Sequence, residues 1–404
     1  MTIDHLGPRF APTPLGIRSR PSLRARALHR DSVLRRLDYT LLLSVLALCA
    51  IGALLIWSAT RQKQLDRHLD PRALLKKDVL NVGIGLALAA GAALVDYRSL
   101  RFYAPVVYVL SVLGLLAVLI PHIGATINGA HSWIVLPAGF QVQPAEFAKV
   151  ALVVGGAFLL AERRDGDDRP RSPDVLLVLG LAAVPMGLIM LQPDFGTMMV
   201  FVFTILGLLA VSGVARRWVV GLALAGVAAG WLIIAGGFLQ GYQRERLLNF
   251  TQPGTNTGTS GYQVNQAVTA IGSGGIFGKG LFNGTQTKGA YIPEQQTDFV
   301  FTVAGEELGL VGAGLLLLLL GLVLWRACAI AAAAVDPFGA IVAGGVVSWF
   351  AFQSFVNIGM TLGIMPLTGL PLPFVSYGGS AMFANLVAIG LLQNVHMRSR
   401  SRDA

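Results

Sequence analysis

Residues 39–60 of the sequence read YTLLLSVLALCAIGALLIWSAT, and none of these side chains carries a formal charge. An α-helix needs about 20 apolar residues to cross the roughly 30 Å of hydrocarbon in a bilayer. The stretch therefore predicts a membrane-spanning helix. It contains no small-residue cleavage site, which distinguishes it from a removable secretory signal.

Further apolar stretches of similar length follow along the chain. The predicted spans are 39–60, 79–95, 103–121, 143–161, 174–190, 195–212, 218–237, 299–325, 338–360 and 380–395. The chain is 54% hydrophobic and only 13% charged, whereas soluble proteins carry roughly 25% charged residues. The predicted fold class is therefore all-α: a polytopic integral membrane protein with about ten transmembrane helices.

Basic residues are sorted between the two sides of the predicted membrane. With the N-terminus in the cytoplasm, the inner segments carry 20 Lys and Arg residues and the outer loops carry 10, as the positive-inside rule requires. This predicts a multi-pass protein of the cytoplasmic (inner) membrane with both termini in the cytoplasm. Six basic residues in the first outer loop, 61–78, break the rule, and the sequence alone does not explain them.

Three regions follow from this topology. Residues 1–37 are rich in Arg and Pro and predict a disordered basic cytoplasmic tail that contacts anionic membrane lipid. Residues 38–396 form the membrane domain, with a long extracytoplasmic loop at 238–298 between spans 7 and 8, and residues 397–404 are a cytoplasmic C-terminal tail. The net charge of +10 does not indicate a nucleic-acid partner, because no basic stripe alternates with aromatic residues.

A charge inside hydrocarbon is costly unless it is paired or faces water, so the few charges within the spans are candidate functional residues. Glu146 and Lys149 lie three residues apart in the fourth span, on one helical face where they can pair. A structural ion pair and a polar wall of an aqueous cavity are both compatible with this spacing. Glu306 and Glu307 lie deep in the eighth span and need partners.

Two aspartates stand at predicted outer helix starts. Asp194, in QPDFGT, suits a cap of the sixth span, because a carboxylate complements the positive end of a helix. Asp298, in EQQTDFVF, is the last charge before the eighth span. It is either another cap or a base at the membrane surface.

The long outer loop contains four cations and a glycine-rich run. The cations Arg244, Arg246, Lys279 and Lys288 either bind a pyrophosphate group or serve solubility. The run GSGGIFGKG at 272–280 fails the P-loop pattern at Ser273 and Gly280, and we expect flexible backbone there. The last outer loop, 365–380, has three prolines and no charge, which favours an irregular re-entrant segment buried against protein.

These segments, in this order, resemble the signature stretches of the shape, elongation, division and sporulation (SEDS) family. They are 143–149, 192–197, 272–280, 293–307 and 366–380, and PLPFVSYGGS and TDF…GEELG are the most specific. The likeness covers about residues 38–396. GTQT at 284–287 and MPLTG at 365–369 look more like the RodA branch of that family than the FtsW branch.

The resemblance implies ten spans and a peptidoglycan glycosyltransferase that polymerises lipid II outside the membrane, together with a class B penicillin-binding protein as partner transpeptidase and the other proteins of the elongation machinery. It places the essential catalytic aspartate on Asp298. The predicted substrate-binding residues are Trp133, Glu146, Lys149, Arg246, Lys288 and Glu294. Cations or a divalent metal ion would stabilise the departing pyrophosphate.

Two other functions remain open at this point. A transporter that flips the same lipid would explain many helices and intramembrane charge, but it predicts paired half-repeats and a midplane site. No repeat is visible, and the polar residues cluster towards the outer face. A non-catalytic scaffold of the elongation machinery would leave Asp298 and the long outer loop unexplained.

Overall fold

The computed structural model describes residues 36–95, 97–127, 130–135, 141–162, 169–236 and 259–399. Residues 38–404 form one compact unit, separate from Met1–Leu37. The predicted basic tail therefore lies almost wholly outside the described residues. At the other end the last helix runs to Ser399, so the predicted C-terminal tail at 397–404 begins within a helix.

The described residues are mostly helical. The helices are α1 (Tyr39–Asp66), α2 (Ala73–Leu94), α3 (Tyr97–Leu119), α4 (Pro144–Ala161), α5 (Ser172–Leu191), α6 (Phe195–Val211), α7 (Arg216–Ala235), α8 (Thr259–Gly274), α9 (Thr285–Lys288), α10 (Val300–Val303), α11 (Gly309–Ala333), α12 (Pro337–Thr361) and α13 (Gly379–Ser399). A π-helical turn, Ala304–Leu308, joins α10 to α11. There is also one small antiparallel sheet, which the sequence did not predict. Its strand order is β1-β2-β3, with β1 (Gly124–Ile127), β2 (Ala130–Val135) and β3 (Gln141–Val142).

Each of the ten predicted spans coincides with a helix. Seven helical segments are long and apolar enough to cross a membrane: α1, α2, α3 from Ser99, α4, α5, the continuous segment Val300–Ala333, and α12. α6 is apolar but shorter. The all-α, polytopic fold class is confirmed, while crossing by α6, α7 and α13 stays a prediction.

The first outer loop is shorter than predicted, because α1 continues to Asp66 and α2 begins at Ala73. Most of the six basic residues of 61–78 therefore lie on helix ends that extend past the apolar stretch. Three of the basic side chains have local partners. Arg61 lies over the Phe282 ring, Arg72 lies over the Trp57 ring, and the Lys76 Nζ is 2.7 Å from an Asp70 carboxylate oxygen. Three of the six basic residues that break the positive-inside rule therefore have a local partner, and one of them, Lys76, is paired with a carboxylate.

α4 and α12 form the buried centre of the bundle. Most residues of both helices are buried, whereas only about a quarter of the residues in the apolar parts of α2, α3 and α5 are buried. α12 packs against α6, α4 and α11, and α2 packs against α13. Polar side chains of α4 and α12 are therefore shielded from lipid by the other helices. Such side chains can contact one another and form a functional site.

The segment between α12 and α13 has no regular helix over residues 366–378, yet Leu370, Leu372, Phe374 and Val375 are buried. It lies so close to α1 that a Cβ at Gly52 would be 2.6 Å from the Val375 carbonyl oxygen. We call residues 366–378 the buried loop. Irregular backbone at membrane depth is tolerated only where protein groups satisfy it, so the donors that satisfy this loop are of interest.

Candidate active site

Glu146 and Lys149 form an ion pair inside the bundle. α4 begins with Pro144 at its first turn, which places Glu146 and Lys149 on the face towards α12. The Lys149 Nζ is 2.8 Å from a Glu146 carboxylate oxygen, and the two side chains are 0% and 3% exposed. The predicted pairing is confirmed. Removing either partner would leave the other as an uncompensated buried charge.

Lys149 is also bound by α12. Its Nζ donates to the Gln353 Oε1 at 3.1 Å and lies 4.7 Å from the centre of the Trp349 ring. The indole N–H of Trp349 donates to the same Gln353 oxygen at 2.7 Å. An ammonium with a carboxylate, an amide oxygen and an aromatic face around it is well compensated despite its burial.

Asp298 lies in the turn that precedes α10 and is half-buried. Its backbone N–H donates to the Glu294 carbonyl oxygen at 3.1 Å. The N-cap of α10 is Phe299, with no side-chain capping bond, so the cap alternative that the sequence left open for Asp298 is wrong and the N-cap position belongs to its neighbour. A Cβ at Gly369 would be 3.4 Å from the Asp298 Oδ2, which places the carboxylate against the buried loop.

Two side-chain amides of α12 bind this part of the protein. The Asn357 Nδ2 donates to the carbonyl oxygens of Asp298, at 2.8 Å, and of Leu370, at 2.7 Å. One turn earlier, the Gln353 Nε2 donates to the Pro371 carbonyl oxygen at 2.8 Å. Asn357 and Gln353 are both 0% exposed. Hydrogen bonds along one face of α12 thus connect the Glu146–Lys149 pair with the backbone of Asp298.

Glu306 and Glu307 lie in the π-helical turn and are buried. Glu306 accepts from the backbone N–H groups of Gln286 and Thr287, at 2.8 and 3.0 Å, and from the Lys279 Nζ at 3.1 Å. Glu307 accepts from the Ser58 hydroxyl at 2.7 Å. The expectation that both carboxylates need partners is confirmed. Their partners fix α9 and the preceding loop onto the eighth span.

The glycine-rich run packs against the same turn and does not form the free, flexible loop that was expected. The N–H groups of Lys279 and Gly280 donate to the carbonyl oxygens of Glu306 and Glu307, both at 3.0 Å. In the other direction, the N–H groups of residues 310 and 311 donate to the carbonyls of residues 275 and 276 at 2.9 and 3.1 Å. Gly278 has a φ of +79°, and a Cβ there would collide with the Glu307 carbonyl. Glycine is required because two backbones meet.

The other predicted site residues lie in several places. Trp133 is half-buried on β2, paired across the sheet with Ala125. Glu294 has a φ of +52° and accepts from the Gln296 side chain at 3.2 Å. Lys288 is exposed and donates to the Asn283 side chain at 3.3 Å. Arg246, like Arg244, lies outside the described residues.

Asp194 caps α6, as predicted. Its carboxylate accepts from the Thr197 N–H at 3.0 Å, from the Thr197 hydroxyl at 2.8 Å, and from the Gln143 Nε2 at 2.9 Å. Sequence reasoning did not single out Gln353 or Asn357. Two amides four residues apart within an apolar span are the signal that could have identified them, because a polar side chain at membrane depth needs a partner.

Across the described ranges, no three His, Cys, Asp or Glu side chains come together in a group that could hold a metal ion. The described residues therefore offer no cluster of such side chains for the divalent cation that the sequence analysis suggested.

Comparison with known proteins places this arrangement in context. Residues 39–401 match the model of the FtsW/RodA/SpoVE family, described as cell cycle proteins. The chain is 37% identical to stage V sporulation protein E of Bacillus subtilis (strain 168), over 90% of this chain and 98% of that protein. It is 36% identical to the peptidoglycan glycosyltransferase MrdB of Escherichia coli (strain K12), over 89% of this chain and 93% of that protein.

A solved structure agrees with these relatives. It comes from work on the structural coordination of polymerization and crosslinking by a peptidoglycan synthase complex. That chain is 34% identical with a TM-score of 0.75, and the match covers 90% of this chain and 98% of that one. Because the family model and both relatives extend over nearly all of the membrane domain, this protein belongs to the FtsW/RodA/SpoVE family of cell cycle proteins.

Proposed function

We propose that this protein polymerises lipid II into glycan strands on the outer face of the cytoplasmic membrane during cell elongation, with Asp298 as the general base. The coarse activity, peptidoglycan glycosyltransferase, is the one for which relatives such as MrdB are named. The finer assignments are ours, and that of the base rests on the arrangement around Asp298.

The observation that carries the proposal is the way in which Asp298 is held. Its backbone is bound on both sides, by Glu294 and by Asn357, and its carboxylate lies against Gly369 without serving as the N-cap residue of α10. A carboxylate held in this way suits proton abstraction. Lipid II has its anomeric carbon on pyrophosphate, so chain extension needs a sugar 4-hydroxyl that loses its proton while it attacks that carbon. One base suffices for this inverting displacement.

The developing charge on pyrophosphate needs cations near the leaving group. Lys279 and Lys288 are the described lysines of the long outer loop. Phe282 lies between them in sequence, and the Arg61 guanidinium lies over its ring. We assign the pyrophosphate to this outer cationic region, with Arg246 and Trp133 as further substrate contacts and Glu146, Lys149 and Glu294 as residues of the surrounding polar wall. A divalent cation could assist in the same role.

We further propose a class B penicillin-binding protein as the partner transpeptidase. A synthase complex that couples polymerisation and crosslinking is the setting of the similar solved structure, and a polymerase next to a transpeptidase delivers its nascent strand directly. The elongation role rests on the GTQT and MPLTG segments, which look like the RodA branch.

The test is polymerisation of purified lipid II by the isolated protein and by its complex with the transpeptidase. We expect glycan strands from the complex, detected by gel separation of labelled products. A folded complex that produces no strands but moves lipid II between leaflets of a vesicle would contradict the proposal and favour a transporter. Failure to restore rod shape in cells depleted of their elongation polymerase would remove the elongation role alone.

The proposed orientation has a separate test. In a Cys49→Ala/Cys328→Ala background, we expect Tyr291→Cys to react with an impermeant thiol reagent on intact spheroplasts. Arg169→Cys should react only after permeabilisation, because it belongs to the basic inner segment 162–173. Tyr291 and Arg169 are both exposed in the structure, so lack of access within the protein does not complicate the result. Labelling of Arg169→Cys alone on intact spheroplasts would reverse the topology.

A further inference from the structure

We infer that Asn357 and Gln353 are positioning residues of the reaction, because they bind the buried loop and the backbone of Asp298 to the helix that carries the Lys149 contact. This inference rests on the proposed function, since it concerns the placement of the base assigned there. Neither amide is assigned a role by the similarities described above.

The first step of the argument is the double donation by Asn357. One amide nitrogen binds two carbonyl oxygens, that of Asp298 at 2.8 Å and that of Leu370 at 2.7 Å. These carbonyls belong to different segments, the turn before α10 and the buried loop. Asn357 thus binds the turn that carries Asp298 and the buried loop that contacts the Asp298 carboxylate.

The second step is that the buried loop is held at adjacent carbonyls. Gln353 binds the carbonyl of Pro371, directly after Leu370, and the Tyr377 N–H donates to the Gln296 carbonyl at 2.9 Å. The turn and the loop are therefore joined at both ends, and α12 supplies the rigid element. Precise placement of a reacting group is best achieved when its supports lie on a helix rather than on another loop.

The third step connects this support with the buried ion pair. The Gln353 Oε1 accepts from Lys149 and from Trp349, at 3.1 and 2.7 Å, while its Nε2 donates to the Pro371 carbonyl. Lys149 is in turn paired with Glu146 at 2.8 Å. The orientation of the Gln353 amide is fixed because its oxygen is held by two donors. Its nitrogen must then point to the buried loop.

A purely structural role would also satisfy the loop carbonyls, so a matched control is required. Asn394 on α13 is a buried asparagine of the same kind. Its Nδ2 lies within hydrogen-bonding distance of three carbonyl oxygens at the end of α2, those of residues 92, 93 and 95, at 3.0, 2.9 and 2.6 Å. Replacing Asn394 with leucine removes equivalent hydrogen bonds from a buried helix contact that does not involve the turn before α10 or the buried loop.

The experiment measures kcat and KM for lipid II with the complex of the full chain and its transpeptidase, together with the melting temperature of each variant. For Asn357→Leu we expect kcat to fall by about 10²-fold, as for a reacting group displaced by about 1 Å, with little change in KM. Asn357→Ser, which keeps a single donor, should lie between Asn357→Leu and wild type. Asn394→Leu should lower the melting temperature while keeping kcat near the wild-type value.

Equal kcat for Asn357→Leu and Asn394→Leu at similar melting temperatures would overturn the inference and leave Asn357 as a structural residue. If Asn357→Leu does not fold, the comparison of Asn357→Ser with Asn394→Leu decides in the same way. Failure of the proposed function is a distinct outcome, because the wild-type complex itself would then produce no glycan.

Discussion

Asp298→Asn is expected to reduce glycan synthesis from lipid II by a factor of about 10² or more, while the protein remains folded and bound to its transpeptidase. Asparagine keeps the shape of the side chain but cannot accept a proton from the attacking hydroxyl. Two of the bonds that hold this residue use its backbone, through Glu294 and Asn357, and these two survive the substitution. The measurement is glycan product formed by the purified complex, with melting temperature as the check of folding.

Asp174→Asn is the matched control for the loss of an aspartate at a helix start. Asp174 lies in the first turn of α5, where its carboxylate accepts from the Arg171 N–H at 2.8 Å. Its replacement should leave glycan synthesis within a few-fold of wild type. A negative charge in the first turn of a helix changes the stability of the protein by on the order of 1 kcal/mol or less. Near-normal product from a folded Asp298→Asn complex would exclude Asp298 as the base. Glu294 would become the next candidate, because the Glu306 carboxylate is buried and is already bound by Lys279 and by two backbone N–H groups.

Lys149→Met is expected to destabilise the protein by roughly 3–5 kcal/mol, because it leaves the buried Glu146 carboxylate without its cation. The double variant Glu146→Gln/Lys149→Met removes both charges and should recover part of this loss. The environment favours recovery, since the Trp349 N–H still supplies a donor to the Gln353 Oε1 when Lys149 is gone. Methionine is long and flexible enough to fill most of the space that the lysine stem leaves.

The quantity to measure is the free energy of unfolding of the purified protein in mixed micelles, for both single variants and the double variant. A double-mutant cycle isolates the coupling between the two residues. If the loss in the double variant equals the sum of the single losses, the two residues are not coupled. Each would then have its own role, for example with substrate.

The sequence predicts the spans well because the bilayer imposes a length on them. The predicted spans 39–60, 143–161 and 338–360 coincide with α1, α4 and α12, except that residue 143 is the N-cap of α4. The helix ends were less predictable, since α1 continues through charged residues to Asp66. Outside hydrocarbon, hydropathy no longer marks where a helix stops, and local pairs such as Gln62 with Asp66, at 2.9 Å, support another turn.

The candidate site was only partly predictable. The Glu146–Lys149 pair follows from helical spacing, because both partners lie on one helix. The bonds of Asn357 join residues 59 and 13 positions apart in sequence, and no local pattern specifies such a contact. The same holds for Gly278, whose close approach to the eighth span is decided by a backbone from another part of the chain.

The mutual backbone pairing of the glycine-rich run and the eighth span also constrains how this protein is made. Residues 275–280 leave the ribosome before residues 306–311, yet each segment supplies the main-chain partners of the other. Peptide groups that are buried without a partner are costly, so the earlier segment cannot adopt its final structure until the later helix has been synthesised. In a nascent chain that ends before residue 300, this segment would therefore stay accessible to insertion factors and proteases. Protection of the segment from protease would then report that the eighth span has been integrated.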